Sequence, residues 1–247
     1  MTSADFRKIA RDALKGNWII AIIAAFIASF LGGLNSTGLN VSFNFTFESP
    51  EIENNESVAT LLATQNDGGM GLYDGIFIAL LIFIVIAFIY SLIMFIIGSA
   101  VAVGYSEFNL DLIDGVKPRI GSLFSRFGQL KTAIAARLLV FLRVFVGLLF
   151  FVVPGIIMAY NYSMVNFVLS ENPDMTAREA LKESKRIMKG YRFKLFCLEL
   201  SFFGWVLLSV LTLGIGFIWV VPYQQATLAA FYREISNEEP FSARVVF

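Results

Sequence analysis

The 247-residue sequence contains no histidine, one cysteine (Cys197) and only 15% charged residues. Without histidine there are no histidine-ligated metal sites and no nucleophile activated by histidine, and one cysteine cannot form an intrachain disulfide. We therefore expect no enzyme, no metal site and no cofactor. The formal net charge is zero, so the chain has no general electrostatic preference for nucleic acid.

Apolar residues make up 57% of the chain, and 26 residues are phenylalanine. Soluble domains have about 25% charged and about 45–50% apolar residues, so this composition is typical of a membrane protein. A helix needs roughly 20 apolar residues to cross a bilayer core about 30 Å thick. We predict an all-α, polytopic membrane helix bundle. Its six transmembrane helices are 17–34, 75–105, 133–153, 156–170, 195–213 and 217–232, and the second bends near Gly98.

The basic residues predict the orientation of these spans, because lysine and arginine concentrate in cytoplasmic loops. No lysine or arginine occurs between Gly16 and Val116, and the loop 35–74 contains six acidic residues. Basic residues cluster instead before the first span and in the second and fourth connections. The pattern predicts cytoplasmic N and C termini and an extracytoplasmic loop at 35–74. In that loop, alternating apolar residues from Val41 to Phe47 predict a short strand.

The chain reads as a single membrane domain of three tandem units, at about 1–116, 117–173 and 174–247. Each unit has an amphipathic helix followed by a transmembrane hairpin, with breaks at Pro154-Gly155 and at Gly214-Ile215-Gly216. The first and third units align at an offset of 174, which pairs Thr2-x-x-Asp5 with Thr176-x-x-Glu179. Both are capping-box patterns, which satisfy exposed amides at a helix N-terminus. The alternative is that unrelated apolar hairpins resemble one another.

The basic amphipathic helices are predicted to lie on the inner leaflet with their apolar faces toward lipid. Each lysine or arginine near anionic headgroups contributes about 1 kcal/mol. The predicted lipid-contacting residues are Arg7, Lys8, Arg11, Lys15, Lys182, Lys185, Arg186 and Lys189. The predicted partners are therefore the bilayer and its anionic inner-leaflet lipids. The alternative role for these charges is topology and anchoring alone.

Small residues recur every four positions in the first span and again in the second. They allow the close backbone approach that helix association in lipid requires. The rows are Ala21, Ala25, Ser29 and Gly33; Ala24, Ala28 and Gly32; Gly98 and Ala102; and Ala100 and Gly104. We expect the two helices to pack tightly, either within one chain or, less favoured, across a homo-oligomer interface.

Polar residues inside the spans are the strongest functional signal, because an arginine at the bilayer centre costs roughly 2.5–3.5 kcal/mol on the insertion scale. From the helical rise, Arg143 and Asn161 are predicted at nearly the same depth, with Gln224 and Gln225 near the midplane. These four form the candidate substrate-binding set. The competing interpretation is a structural polar cluster.

Two further charged sets have weaker functional interpretations. Arg137 and Glu199 are predicted at similar depths and are proposed as an intramembrane ion pair, although Arg137 can instead extend to the interface. A role for Glu199 in proton coupling is the less favoured alternative. Cytoplasmic Glu107, Asp111 and Asp114 have the oxygen ligands that suit Mg²⁺, but solvated acids at a helix end are the preferred interpretation.

Several long segments resemble one known family. They begin at Ala13-Leu-Lys-Gly-Asn-Trp, Gly104-Tyr, Val153-Pro-Gly-Ile-Ile, Lys189-Gly-Tyr-Arg-Phe and Leu211-Thr-Leu-Gly-Ile-Gly. The sequence is similar to uncharacterised bacterial integral membrane proteins grouped as domain of unknown function nine-seven-five. It is more distantly similar to the membrane part of some glycerophosphodiester phosphodiesterases. The resemblance implies a multi-pass protein of the bacterial cytoplasmic membrane and brings no activity or functional residue with it.

Two functional hypotheses follow. The first is transport or handling of a small molecule or lipid through the polar residues of the spans. The second is a non-catalytic accessory or scaffold protein that binds anionic lipid and partner proteins through its basic helices and outer loop. The sequence identifies neither the substrate nor the partner.

Overall fold

The computed structural model describes residues 2–33 and 72–237, and every regular element in these two ranges is a helix. The predicted strand at 41–47 lies outside the described residues. The α-helices are α1 Ser3–Leu14, α2 Trp18–Phe30, α3 Leu72–Ile113, α4 Leu130–Phe150, α5 Val152–Asn161, α6 Val165–Glu171, α7 Ala177–Ile187, α8 Arg192–Leu200, α9 Phe203–Leu211 and α10 Phe217–Asn237. A 3₁₀ helix, Ile120–Gln129, precedes α4.

Three helical segments are long and apolar enough to cross a membrane: Gly75–Ile113, Ile120–Leu149 and Arg192–Leu211. They contain the second predicted span and most of the third and fifth. A fourth candidate is the pair α1 and α2, which bends by 104° between its two helices. The second span is part of one continuous helix of 42 residues, which runs through Gly98 without a break. All of these are properties expected of an integral membrane protein.

The other predicted spans correspond to shorter or more polar helices. Helix α2 has 13 residues and is therefore about 20 Å long. The fourth predicted span is divided between α5 and α6 by a turn at residues 162–164. Helix α10 has 21 residues and contains Pro222. The count of six spans therefore stays a prediction.

The hairpin between α4 and α5 turns at Phe151, whose φ is −163° and ψ is 149°, and not at Pro154-Gly155 as predicted. Pro154 lies in the first turn of α5, where a backbone amide has no acceptor within the helix, so proline costs nothing there. The two helices approach closely beyond the turn. A Cβ added to Gly147 would lie 3.0 Å from the Cα of Gly155.

The predicted break at Gly214-Ile215-Gly216 is confirmed, because α9 ends at Leu211 and α10 begins at Phe217. Leu213 and Gly214 both have positive φ values, 54° and 90°. A further break divides the predicted fifth span at Ser201 and Phe202, between α8 and α9. There Phe202 is buried and its ring packs edge-on against Tyr223 of α10 at a centroid distance of 5.3 Å.

The first and third amphipathic segments form α1 and α7, which begin in the same way. The backbone amide of Thr2 donates to Asp5 at 2.7 Å, and that of Thr176 donates to Glu179 at 2.8 Å. Each helix is followed by a glycine of positive φ, Gly16 at 84° and Gly190 at 93°. The second amphipathic segment differs, because it folds as a 3₁₀ helix.

A substitution at the cap of α7 tests this helix start. The Thr176 hydroxyl donates to Glu179 at 2.8 Å and accepts from its amide at 3.4 Å. We expect Thr176→Ala to destabilise the protein by about 1 kcal/mol, measured by thermal unfolding in detergent. Arg178→Ala, which removes an exposed side chain from the same turn, is the control and should have a smaller effect. Equal effects would contradict the assigned role of the cap.

The same cap predicts a pH dependence. Hydrogen bonds from the backbone amide and then the hydroxyl of Thr176 lower the pKa of Glu179. A lowered carboxyl pKa stabilises the fold fully above the unfolded pKa of about 4.3, and this stabilisation is lost as the pH falls through the lower folded value. The difference in stability between the protein and its Thr176→Ala variant should therefore shrink in that acidic range.

The two rows of small residues in α2 are buried within the chain. Ala21, Ala24, Ala25 and Ala28 are at most 5% exposed, whereas the larger side chains on the other face, such as Phe26 and Phe30, are more than half exposed. A Cβ added to Gly98 of α3 would lie 2.5 Å from the carbonyl oxygen of Gly32. The expected tight packing of the first two spans is thus present within the chain, at the end of α2.

The chain divides into two compact units, residues 41–94 and the remainder. In the smaller unit the structure describes residues 72–94 of α3, and the side chains from Gly75 to Ile93 are exposed. The larger unit contains two apolar clusters. One is centred on α6, α7 and α10, and the other is formed by α1, α2 and the second half of α3.

Candidate functional site

Three consecutive residues at the end of α5 connect α5 to three other helices. Tyr160, Asn161 and Tyr162 contact Glu199 of α8, Ser184 of α7 and Arg143 of α4, in that order. Helix α5 ends here because the backbone turns at residues 162–164 before α6. Tyr160 and Tyr162 make these contacts through their side chains and Asn161 through its backbone carbonyl. We call these three residues, together with Glu199 and Arg143, the α5 polar site.

The contact between Tyr160 and Glu199 involves a carboxyl group that is buried inside a candidate span. The hydroxyl of Tyr160 donates to Oε2 of Glu199 at 2.6 Å, and Glu199 is 4% exposed. The other carboxyl oxygen, Oε1, is buried and has no hydrogen-bond partner in the described residues. The Tyr160 ring is held edge-on against Phe196. Glu199 is therefore positioned through one oxygen while the other is left without a donor.

Asn161, like Glu199, has one buried oxygen with a partner and one without. Its backbone carbonyl accepts a hydrogen bond from the Ser184 hydroxyl at 2.9 Å, and its side chain is 6% exposed. The side-chain oxygen Oδ1 is buried without a hydrogen-bond partner in the part of the chain that the structure describes. A buried acceptor without a donor costs about 1–3 kcal/mol, so two of them in one region are unusual.

Arg143 approaches the site from α4 but contacts Tyr162 and not Asn161. Its Nη1 lies 3.4 Å from the Tyr162 hydroxyl, and its guanidinium carbon lies 5.4 Å from the centroid of that ring. An arginine over a tyrosine face is attracted by the ring quadrupole. Arg143 therefore contacts the residue that follows Asn161 in the sequence, and a shared site of Arg143 and Asn161 stays a prediction.

The structure does not bring Gln224 and Gln225 to Arg143 or Asn161 through any hydrogen bond among the described residues. Gln224 is buried and Gln225 is half-buried, both on α10. Helix α10 packs mainly against α1, α2 and α9. A shared depth along the membrane does not imply a shared position in its plane.

The predicted ion pair of Arg137 and Glu199 is not formed. Nη1 of Arg137 donates to the carbonyl oxygen of Gly32 at 3.3 Å, and the guanidinium lies 4.8 Å from the centroid of the Phe95 ring. Arg137 thus faces the turn that follows α2 and the middle of α3, whereas Glu199 faces α5. Similar depth suggested the pair, but the two residues point toward different neighbouring helices.

The apolar faces of α1 and α7 are covered by protein, so the prediction that they face lipid is wrong. The structure aligns three fully buried positions at the predicted offset of 174: Phe6, Ala10 and Leu14 of α1 with Ala180, Ser184 and Met188 of α7. Helix α1 packs against α10, and α7 packs against α4 and α6. These helices are amphipathic because they cover the bundle.

The predicted lipid-contacting residues remain on the outer faces of α1 and α7. Arg7 is half-buried and the other seven are exposed: Lys8, Arg11, Lys15, Lys182, Lys185, Arg186 and Lys189. Lys15 pairs with Asp12, and Arg186 pairs with Glu183. The result is a basic surface on two helices whose positions are fixed by packing.

A network of charges that the sequence analysis missed connects the ends of α3, α6 and α10. Arg233 of α10 pairs with Asp114, which follows α3, and with Glu171, the last residue of α6. Tyr232 also donates a hydrogen bond to Glu171. Burial lowers the pKa of Arg233, but its hydrogen bond with Asp114 and the nearby charge of Glu171 outweigh burial and raise it.

Arg126 of the 3₁₀ helix also links α3 to α6. Its Nε donates to Glu107 of α3 at 2.8 Å, and its Nη2 donates to the carbonyl oxygen of Ser170 at 2.7 Å. Two of the three acids considered for Mg²⁺ therefore have arginine partners. Among the described residues no group of three or more acidic or cysteine side chains is arranged to hold a metal.

The comparisons with known proteins place the chain in one family. A family model described as "Protein of unknown function (DUF975)" matches residues 73–239. The chain belongs to this family. The match begins at the start of α3 and continues into the C-terminal segment, so it includes the α5 polar site and the network around Arg233. Among curated proteins and among solved structures, no match is found for this DUF975 protein.

Proposed function

We propose that this DUF975 protein is a multi-pass protein of the bacterial cytoplasmic membrane with six spans and cytoplasmic N and C termini. Three long apolar helical segments support this proposal, as does the separation of basic from acidic connections along the chain. The shared capping boxes, the positive-φ glycines and the aligned buried positions of α1 and α7 support internal repetition of the amphipathic helix and hairpin.

Single engineered thiols test this topology. In a Cys197→Ser background, a membrane-impermeant maleimide applied to intact cells should label Asn55→Cys and leave Ile120→Cys and Lys185→Cys unlabelled. The latter two should react after the membrane is permeabilised, which controls for access. Labelling at position 120 or 185 from outside, or no labelling at position 55, would show that the topology is wrong.

We further propose that the α5 polar site binds a small polar molecule or a lipid headgroup as part of its transport or handling. The observation that carries this proposal is the Oε1 atom of Glu199. This carboxyl oxygen is buried inside a candidate span and has no hydrogen-bond donor in the part of the chain that the structure describes. Ionisable groups at membrane depth mark substrate, ion or proton pathways in many membrane proteins. A bound donor would satisfy this oxygen.

Each residue of the site has a distinct role in this proposal. Glu199 accepts a hydrogen bond from the ligand while Tyr160 holds the carboxyl group through its other oxygen. The Oδ1 atom of Asn161 is a second acceptor. Arg143 keeps positive charge at the same end of α5 through its contact with Tyr162. This arrangement favours a ligand with hydrogen-bond donors over a wholly apolar one.

Native mass spectrometry of the gently purified protein tests this function. We expect a retained metabolite or lipid that binds at least about tenfold more weakly in Glu199→Gln and in Arg143→Gln. This loss corresponds to about 1.4 kcal/mol of binding free energy. Glu199→Gln keeps an oxygen for the Tyr160 hydroxyl, so the fold should survive. Lys131→Gln, on the exposed start of α4, is the control and should retain the ligand.

The outcome that contradicts this function is specific. Empty wild-type protein, or variants that retain the ligand but unfold at a lower temperature, would show that the α5 polar site is a structural cluster.

The second candidate is a non-catalytic accessory or scaffold protein that binds anionic lipid and partner proteins, including a second copy of the chain. It is favoured by the basic surface of α1 and α7, whose apolar faces are already covered by protein. Such a surface presents charge without inserting into lipid. The absence of a catalytic role, a metal and a cofactor remains part of both proposals.

A further inference from the structure

Three basic residues lie on the two helices α1 and α8, which contact each other. Arg7 lies on α1, and Arg192 and Lys194 lie in the first turn of α8. Nζ of Lys194 is 5.4 Å from the ring centroid of Phe6, the residue next to Arg7, and 5.4 Å from that of Tyr191, the residue next to Arg192. We call this group the α1–α8 basic site.

The α1–α8 basic site contains two buried donors without acceptors. The Nε atoms of Arg7 and Arg192 are both buried and have no hydrogen-bond partner among the described residues. An unpaired buried donor costs about 1–3 kcal/mol, and more when the group is charged. A guanidinium that is partly enclosed in this way is suited to an external acceptor.

No carboxylate neutralises the site within the described part of the chain, because none of its three basic residues forms a salt bridge there. The two acids of α1 have other partners. Asp5 accepts the hydrogen bonds of Thr2, and Asp12 pairs with Lys15. The backbone carbonyl of Arg7 accepts a hydrogen bond from the Tyr223 hydroxyl at 3.2 Å, which fixes α1 against α10.

We infer that the α1–α8 basic site binds a phosphate group, either in the headgroup of an anionic phospholipid or as the free ion. Guanidinium groups match the oxygen geometry of phosphate through paired N–H donors, and Lys194 adds a compact charge. The placement of this site at the inner leaflet depends on the proposed topology. The anionic ligand is thereby assigned to three particular residues, Arg7, Arg192 and Lys194.

This site differs from the exposed basic surface around it. Lys8 and Lys189 are neighbours of Arg7 and Arg192 in the sequence, but both are exposed to solvent. Exposed charges attract an anionic membrane diffusely, and salt screens that attraction. The buried Nε atoms instead require an acceptor at a defined position. A comparison of two double variants with the same loss of charge separates the two kinds of binding.

The test uses the full chain in mild detergent, titrated with dioleoylphosphatidylglycerol or dioleoylphosphatidylcholine and followed by native mass spectrometry. We expect the R7Q/R192Q variant to bind phosphatidylglycerol at least about tenfold more weakly than wild type. The matched control K8Q/K189Q should change binding less than about twofold. The R7K/R192K variant keeps the charge but lacks Nε donors, and it should also bind more weakly than the control.

A second arm titrates the protein with inorganic phosphate by calorimetry. Phosphatidylglycerol binding without binding of the ion identifies the lipid headgroup as the ligand, and binding of inorganic phosphate identifies the free ion. Equal weakening in R7Q/R192Q and K8Q/K189Q, or equal binding of the two lipids, would overturn the inference. Lys131→Gln, on the exposed start of α4, belongs to neither site and should leave this binding unchanged. The ligand retained by the α5 polar site should stay bound in R7Q/R192Q, so failure here is distinguishable from failure of the α5 polar site.

Discussion

Replacing Gly104 with valine is expected to destabilise the protein by about 3 kcal/mol or more, through overpacking against rigid backbone. A Cβ at this position of α3 would overlap the carbonyl oxygen of Leu123 and would lie 2.6 Å from that of Ser122. Neither oxygen belongs to a flexible side chain, so the 3₁₀ helix itself would have to move. Thermal unfolding in detergent, followed by fluorescence of the three tryptophans, measures this loss.

Gly75 provides the matched control, because it lies on the same helix and a Cβ there meets nothing within 4 Å. Gly75→Val should change the unfolding temperature little. Glycine is also flexible in the unfolded chain, and both substitutions remove that flexibility equally. If Gly104→Val unfolds at the same temperature as Gly75→Val, α3 does not pack against the 3₁₀ helix as described.

Replacing Arg233 with methionine is expected to cost about 2 kcal/mol, because it leaves both Asp114 and Glu171 without the cation that they share. The estimate is below the value for a fully buried pair because Arg233 is 26% exposed and solvent screens part of the interaction. The methionine keeps most of the packing volume, so the loss reports the charge. Equilibrium unfolding in detergent with added denaturant measures it.

Two comparisons make this result specific. Arg186→Met removes a surface pair of the i,i+3 type with Glu183, and it should cost only about 0.3–0.5 kcal/mol. The triple variant D114N/E171Q/R233M should recover part of the stability lost in Arg233→Met, since no unpaired carboxylates remain. No recovery would mean that the loss arises from packing and not from the charges of the two hairpin ends.

Local features of the fold were predictable because neighbouring residues determine them. The Thr-x-x-acid patterns identified the starts of α1 and α7, since the side chain and the amides it satisfies lie three residues apart. Glycine at 214 marked the turn before α10, because its positive φ is accessible to glycine at little cost. The small-residue rows of α2 were predicted to be buried, and they are.

The partners of the charged residues were not predictable in the same way. Arg233 and Asp114 are separated by 119 residues, and nothing local to either one identifies the other. Depth along the membrane placed Arg137 beside Glu199, yet the rotation of each helix about its own axis turned them to different neighbours. Nothing in the sequence indicated Tyr160 or Tyr162 as polar partners, although Tyr160 contacts Glu199 and Tyr162 contacts Arg143.

By itself the sequence determined the apolar character of the long helices, the starts of α1 and α7 and the close packing at the end of α2. Apolar content, capping patterns and glycine positions act within one or two turns of a helix. It determined the family as well, through segments long enough to be specific. Only the tertiary structure decided that the amphipathic helices cover protein, that α5 ends in a polar site, and that the Nε atoms of Arg7 and Arg192 have no acceptor among the described residues. These depend on how helices rotate and cross, which is a property of the whole bundle.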